Sequence, residues 1–212
     1  MNRITLLLIL VMTFSCKNEK KRETDVVDKE AVEKKYKIVK SFTNDDLINW
    51  KKNRVDLIPV TNIEYNDTPY HLLRNTNTES AYLTSDFIPV TYASEYRVSI
   101  VVKKGTNTNL FGLRICGTYP DRVDAIFDLD KGKVVEYKTA QDFANPTAVI
   151  ERLSGGRFSC TLSAEVSADN IRIIMGATSA EKSVTSWEGR TEIQGDIYFS
   201  PSSIIIEEAI IN

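Results

Sequence analysis

The sequence predicts an all-β domain of antiparallel strands, and three observations carry that expectation. Apolar and polar residues alternate in short runs, turn residues separate the runs at close spacing, and no stretch beyond residue 37 sustains a helical period between caps. Many short strands punctuated in this way argue for a sandwich or a barrel. The clearest run is EYRVSIVVKKG, where Tyr96, Val98, Ile100 and Val102 alternate with Arg97, Ser99 and Lys103. One face of that strand is therefore apolar with period two.

The chain opens with Arg3, an apolar run from Ile4 to Phe14, and a small residue, Ser15, before Cys16, which is the layout of an export signal. The run is too short to span a bilayer. At ~1.5 Å rise per residue it covers roughly 16 Å, about half of a ~30 Å hydrocarbon core. Ser15 and Cys16 resemble the last two positions of a bacterial lipobox, of the looser form found in Bacteroidota-type bacteria. That resemblance implies cleavage before Cys16, lipidation of its thiol and amine, and stable anchoring by several acyl chains. The expected location is the outer membrane or the cell surface, with the periplasmic face as the other place.

Residues 17–37, KNEKKRETDVVDKEAVEKKYK, mix both charge signs and hold few apolar side chains, so burial cannot offset the entropy of ordering them. They read as a tether, in which a short helix over 26–35 has favourable residues but no broad apolar face. Loss of residues 1–15 removes one basic group and leaves 26 Lys+Arg against 29 Asp+Glu. That balance implies no nucleic-acid partner. The rest, residues 38–212, is long enough for one domain with a sizeable core.

From Ile38 onward the strand candidates follow closely. FTNDDLINWKKNRVDLIPV and YHLLRNTNTESAYLTSDFIPV fit a β architecture less regularly, and Trp50 reads as core. After EYRVSIVVKKG come VDAIFDL, KVVEYK, AVIERL, RFSCTLSAEV, NIRIIMGAT, DIYFS and SSIIIEEA. Between them KKGTNTN, TYPD, DLDKGK, LSGGR and SPSS supply Gly, Asn, Asp, Ser and Pro for tight turns. An export compartment permits a bridge between Cys116 and Cys160. Both nevertheless lie in alternating apolar runs, LFGLRIC and RFSCTL, where a small buried thiol serves as packing, and packing is the favoured reading.

Four of these segments carry a resemblance. They are YRVSIVVKKG (96–105), FDLDKGKV (127–134), AVIERLSGGRFSCTLS (148–163) and WEGRTEIQGDIYFSPSSIIIEE (187–208), with Trp50 upstream. Over roughly residues 40–210 their order resembles the jelly-roll, carbohydrate-binding-module-like domains of bacterial polysaccharide-degrading proteins and phage tail proteins. The resemblance implies an antiparallel β-sandwich (jelly roll) and a polysaccharide or oligosaccharide partner. One position departs from it: Arg157 stands where such domains usually place a Trp, although Phe158, Cys160 and Leu162 keep the inward alternation.

Little in the sequence points to catalysis. His71 is the only histidine, which excludes multi-histidine zinc sites, and the serines form no nucleophile elbow. A glycosidase needs two carboxylates ~5–9.5 Å apart across a cleft. The nearest pairs are Asp128 with Asp130, which flank a turn, and Glu192 with Asp196, which straddle Gly195. The Arg, Gln/His and Tyr/Lys strand motifs of jelly-roll lyases are absent. The D-x-D-x-G spacing of Asp128, Asp130 and Gly132 is the start of a calcium loop as well as a hairpin turn, and the turn is favoured because the final bidentate Glu is missing. A structural calcium ion, near Glu207 or Glu208 for instance, is the one cofactor the resemblance leaves room for.

Sugar binding needs an aromatic plane against the pyranose and polar side chains for its hydroxyls. Trp187 in SVTSWEGRTE, between Ser186 and Glu188, is the expected platform, with Arg190 three residues on. Tyr119 with Arg122 forms a second polar-aromatic group, and Tyr70 with His71 a third. The expectation is a non-catalytic lipoprotein that binds a glycan. The alternative is a structural or protein-interaction role in the cell envelope, and behind it a lyase or glycosidase.

Overall fold

The computed structural model describes residues 34–65, 68–180 and 182–210. The signal segment, Cys16 and residues 17–33 of the tether, with most of its short helix, lie outside the described residues. In chain order the strands are β1 (Tyr36–Ser41), β2 (Lys51–Asn53), β3 (Val55–Tyr65), β4 (Thr68–Asn75), β5 (Tyr82–Thr84), β6 (Ile88–Pro89), β7 (Ser94–Lys104) and β8 (Leu110–Cys116). They continue as β9 (Arg122–Asp128), β10 (Lys133–Ala140), β11 (Ala144–Leu153), β12 (Arg157–Val166), β13 (Asn170–Thr178), β14 (Asp196–Phe199) and β15 (Ile205–Ala209). Among the described residues the helical segments are short 3-10 turns, such as Asp46–Asn49 and Val184–Ser186.

The strands form two sheets in which every pairing is antiparallel, the β-sandwich (jelly roll) expected from the sequence. Sheet A runs β3, β4, β14, β7, β12, β11, and β15 carries β1 against the first half of β7. Sheet B runs β10, β9, β8, β13, β5, β2, with β6 also on β13. The first strand takes in Tyr36 and Lys37, which the sequence assigns to the tether.

Alternation drives the packing. Val98, Ile100 and Val102 of β7 and Phe158, Cys160 and Leu162 of β12 face Phe111, Leu113 and Ile115 of β8 and Val123, Ala125 and Phe127 of β9, all with essentially no exposed surface. Each large apolar side chain so buried contributes about 1.5–3 kcal/mol. A slip of one residue in any of these pairings would turn a whole apolar row to solvent, so the core also sets the register. Trp50 joins this core, with Phe42 edge-on to it at 5.2 Å between ring centroids.

The turns follow their residues. In the β9–β10 hairpin Asp128 Oδ1 accepts hydrogen bonds from Asn109 Nδ2 (2.9 Å) and from the backbone N–H groups of Asp130 and Lys131 (both 3.0 Å). Gly132 completes the turn at φ +64°, where a side chain is strained. Asp128 thus acts as a turn residue. Near the C-terminus Arg97 reaches Glu207 (2.6 Å) and Lys37 reaches Glu208 (2.9 Å), so cations of this chain already meet both carboxylates.

Cys116 and Cys160 are both free and buried. They belong to different sheets, and their directions differ as well. Cys160 points into the core, whereas Cys116 lies on the outer face of sheet B, in a cluster with Ile126, Ile174 and Trp187.

Candidate functional site

The outer face of sheet B carries the polar cluster of greatest chemical interest. Strands β9, β8 and β13 lie side by side, and their register sets three rows across them. Arg122, Cys116 and Arg172 form one row, Asp124, Arg114 and Ile174 the next, and Ile126, Gly112 and Gly176 the third. All three rows point outward because Val123, Ile115 and Ile173, between them along the strands, are fully buried in the core.

Two opposed glycines make the third row a slot. The segment carrying the 3-10 turn Val184–Ser186 folds over it, and the indole of Trp187 rests on Gly112 and reaches Gly176. A Cβ on Gly112 would fall inside the indole ring. Trp187 consequently has no exposed surface, and the expectation that it offers a stacking plane is corrected. Its polar neighbours in sequence suggest exposure, but the glycine pair admits the ring and Thr178 Oγ1 donates to the Trp187 carbonyl (2.6 Å).

The middle row ties this cover to the sheet. Asp124, fully buried, accepts at Oδ1 from Trp187 Nε1 (3.1 Å) and Arg114 Nε (2.5 Å), and at Oδ2 from Arg122 Nε (3.0 Å). Arg114 presents its other edge to Glu188, with Nη1 at 2.8 Å and Nη2 at 2.9 Å from the two oxygens, a bidentate pair. Burial pushes the Asp124 carboxyl up, against the pull of Arg114 and Arg122. Burial also weighs against the charge on Arg114, but Glu188 and Asp124 outweigh it and hold the guanidinium above its ordinary value.

The first row is the open part. The Arg122 guanidinium lies 5.1 Å from the centroid of Tyr119, a ring that is 70 % exposed in the loop between β8 and β9. Across the row Arg172 lies 4.9 Å from the centroid of Phe87, which is 49 % exposed. Between these two cation–π stacks sits the small, buried Cys116, whose thiol burial pushes up while the neighbouring Arg172 and Arg114 pull it down. The result is two exposed ring surfaces, each backed by a guanidinium, with the strand positions of the two arginines on either side of the buried Cys116.

The sequence-selected residues divide accordingly. Trp187, Tyr119 and Arg122 share one face, with Trp187 fully buried, Arg122 largely so and Tyr119 on the surface, and both Trp187 and Arg122 meet Asp124. Arg190 belongs elsewhere, in a shallow hollow lined also by Thr78, Lys182, Thr191 and Glu192. Tyr70 and His71 lie on β4 of sheet A, and neither is available at the surface: Tyr70 is fully buried and His71 nearly so. Burial, helped by Lys52, lowers the His71 pKa, and its ring lies 6.0 Å from Phe199. Arg157 closes the turn into β12, donating to the Ser154 carbonyl (2.7 Å) and hydroxyl (2.8 Å).

Phe87, Arg172, Arg114, Asp124 and Glu188 were not singled out by the sequence. A signal for three of them exists in it: Arg114 in LFGLRIC and Arg172 in NIRIIM are single charges inside apolar strand runs, and Asp124 is the charge inside the run of RVDAIFD, whose other two charges stand at its ends. Single charges of opposite sign in neighbouring strands point to a paired cluster on one face. The carboxylates considered for catalysis have structural partners. Asp196 accepts from the backbone N–H groups of Thr106 (2.9 Å) and Asn107 (2.8 Å), and Asp128 holds its turn.

No family model matches this chain, and no curated protein matches it. Among solved structures it is similar to a chain of Clostridium thermocellum endo-1,4-beta-D-xylanase 10B comprising CBM22-1 and GH10 modules complexed with xylohexaose. That match has 17 % identity and a TM-score of 0.47 and covers 80 % of this chain, which spans 28 % of the xylanase chain. It is also similar to a carbohydrate-binding module of Cellvibrio mixtus lichenase 5A in complex with cellotriose, at 7 % identity and a TM-score of 0.41, covering 83 % of this chain and 100 % of that one. A CBM4 structure matches at 9 % identity and a TM-score of 0.36 over 81 % of this chain and 94 % of the other.

Proposed function

We propose that this chain is a non-catalytic, lipid-anchored protein of the cell envelope whose β-sandwich binds a glycan on the outer face of sheet B. The observation that carries the reading is the pair of exposed rings, Tyr119 and Phe87, each packed on a partly buried arginine, Arg122 and Arg172, whose strand positions flank Cys116. A sugar ring presents C–H groups on its faces and hydroxyls at its edge, and it is met by aromatic surfaces combined with planar donors. The buried network of Asp124, Arg114, Glu188 and Trp187 supports the stack by fixing Arg122 from below. Rigid support of this kind lowers the entropy lost on binding.

The non-catalytic reading follows from the roles of the acidic side chains: Asp124 faces two guanidiniums, and Asp128 and Asp196 cap backbone N–H groups. The lipid anchor rests on the sequence alone, on the apolar run that ends at Ser15 and Cys16. The test is a glycan array probed with the full chain in detergent micelles, alongside Tyr119→Ala and Phe87→Ala. Retention by a polysaccharide that falls in both variants supports the site. Retention unchanged in both would move the site off this face, and silence on every glycan would favour a protein partner.

A further inference from the structure

Arg172 differs from the other arginines of this face in what answers its charge. Arg114 meets Asp124 and Glu188, and Arg122 gives Nε to Asp124 and Nη1 to the Pro120 carbonyl (3.2 Å). Among the described residues no carboxylate pairs with Arg172 and no oxygen accepts from it, and its Nε is shielded from solvent without a hydrogen-bond partner. Asp86 and Asp121, adjacent in sequence to Phe87 and Arg122, form no ion pair with either arginine. Phe87 on one side and Cys116 on the other nevertheless hold the Arg172 guanidinium in place. A partly desolvated cation that lacks a counter-charge carries a cost, and an anion arriving from outside removes it.

We propose that the site takes an acidic glycan, with a sugar carboxylate or sulfate seated on the Nη groups of Arg172 and the ring lying toward Tyr119. The proposal rests on the glycan-binding reading above and names the class of sugar. The geometry suits it: the Arg122 and Arg172 backbones are two interstrand steps apart, roughly 10 Å, with only the small Cys116 between them. Arg122 makes no hydrogen bond through Nη2 among the described residues, which leaves one further donor on this face. The whole chain carries a net charge of −2, so attraction to a polyanion would have to come from this local cluster rather than from bulk charge.

Affinity electrophoresis of the full chain in detergent micelles, through gels containing polygalacturonate, dextran sulfate or neutral xylan, tests this. Retention by an acidic polymer above xylan is expected, weakening as sodium chloride is raised, and the stronger acidic gel tells carboxylate from sulfate. Arg172→Gln is expected to weaken that retention about tenfold or more, as loss of a charge-assisted hydrogen bond does. The salt response of the unmodified chain is a second readout that needs no variant to fold. Retention by xylan as strong as by both acidic polymers, indifferent to salt and to Arg172→Gln, would overturn the acidic sugar while leaving glycan binding standing. No retention by any of the three, with silence on a wider glycan array, would overturn both.

Discussion

Gly112 lies directly beneath the indole of Trp187, with Gly176 paired to it across the β8–β13 ladder. The slot exists because neither strand places a Cβ there, so Gly112→Ala must push the indole out or bend the strand. The expected cost is about 1–3 kcal/mol, the usual range for overpacking. Trp187→Ala leaves a cavity and strands the Asp124 acceptor, for about 3–5 kcal/mol. Urea midpoints check both. A Trp187→Ala protein as stable as the parent would show that the indole is not buried in this slot.

Acid should weaken the fold through Asp128. Burial works against its charge, but the N–H groups of Lys131 and Asp130 and the Asn109 amide outweigh burial and hold its pKa below the ordinary carboxylate value. A depressed native pKa means that the unfolded state binds the proton first. The contribution is therefore present above the unfolded pKa of about 3.9 and is lost as pH falls through the native value. Melting temperatures between pH 6 and pH 3 should decline below about pH 4, and Asp128→Asn should start lower and decline less. Equal declines in both proteins would assign the acid sensitivity to other carboxylates.

The strands were legible because their signal is local. The alternation in EYRVSIVVKKG became β7 with its apolar residues buried, and FDLDKGKV became the hairpin whose Asp128 and Gly132 have the turn roles those residue types suggest. The site was legible only in part. Tyr119 and Arg122 are neighbours in sequence and could be read as a group, whereas Phe87 and Arg172 come together only through the pairing of β13 with the chain around β5 and β6. Trp187 misled because its exposure depends on two glycines, 75 and 11 residues away in sequence, that form one slot only after β8 and β13 pair.

Cys116 and Cys160 should resist both oxidation and labelling. They lie on different sheets, one outward and one in the core, and burial pushes both thiols up, so little thiolate is present at neutral pH. Iodoacetamide applied to the native protein and followed by peptide mass spectrometry should leave both unmodified, and urea should expose both. A linked peptide containing the two residues would contradict this arrangement.

Membrane attachment should depend on Cys16. If its thiol carries the lipid, Cys16→Ser should abolish incorporation of a labelled fatty acid and shift the protein out of the membrane fraction. Persistence of the Cys16→Ser protein in the membrane fraction with its label intact would remove the anchor from the reading.

Asp124 is where fold and site depend on one side chain. Asp124→Ala leaves Arg114 with Glu188 and the Thr185 carbonyl, deprives Trp187 Nε1 of its acceptor and removes the carboxylate that holds Arg122. Breaking a buried pair from one side costs about 3–5 kcal/mol, because the remaining charge stays desolvated. Asp124→Asn keeps one oxygen for Trp187 or Arg114 and should cost less, while still withdrawing the anion that holds Arg122 under Tyr119. The two substitutions should therefore separate in urea midpoint yet both weaken the glycan-array retention that Tyr119→Ala is expected to weaken. Loss of stability without loss of retention would confine Asp124 to the fold and leave Arg122 to be positioned by Tyr119 and the Pro120 carbonyl alone.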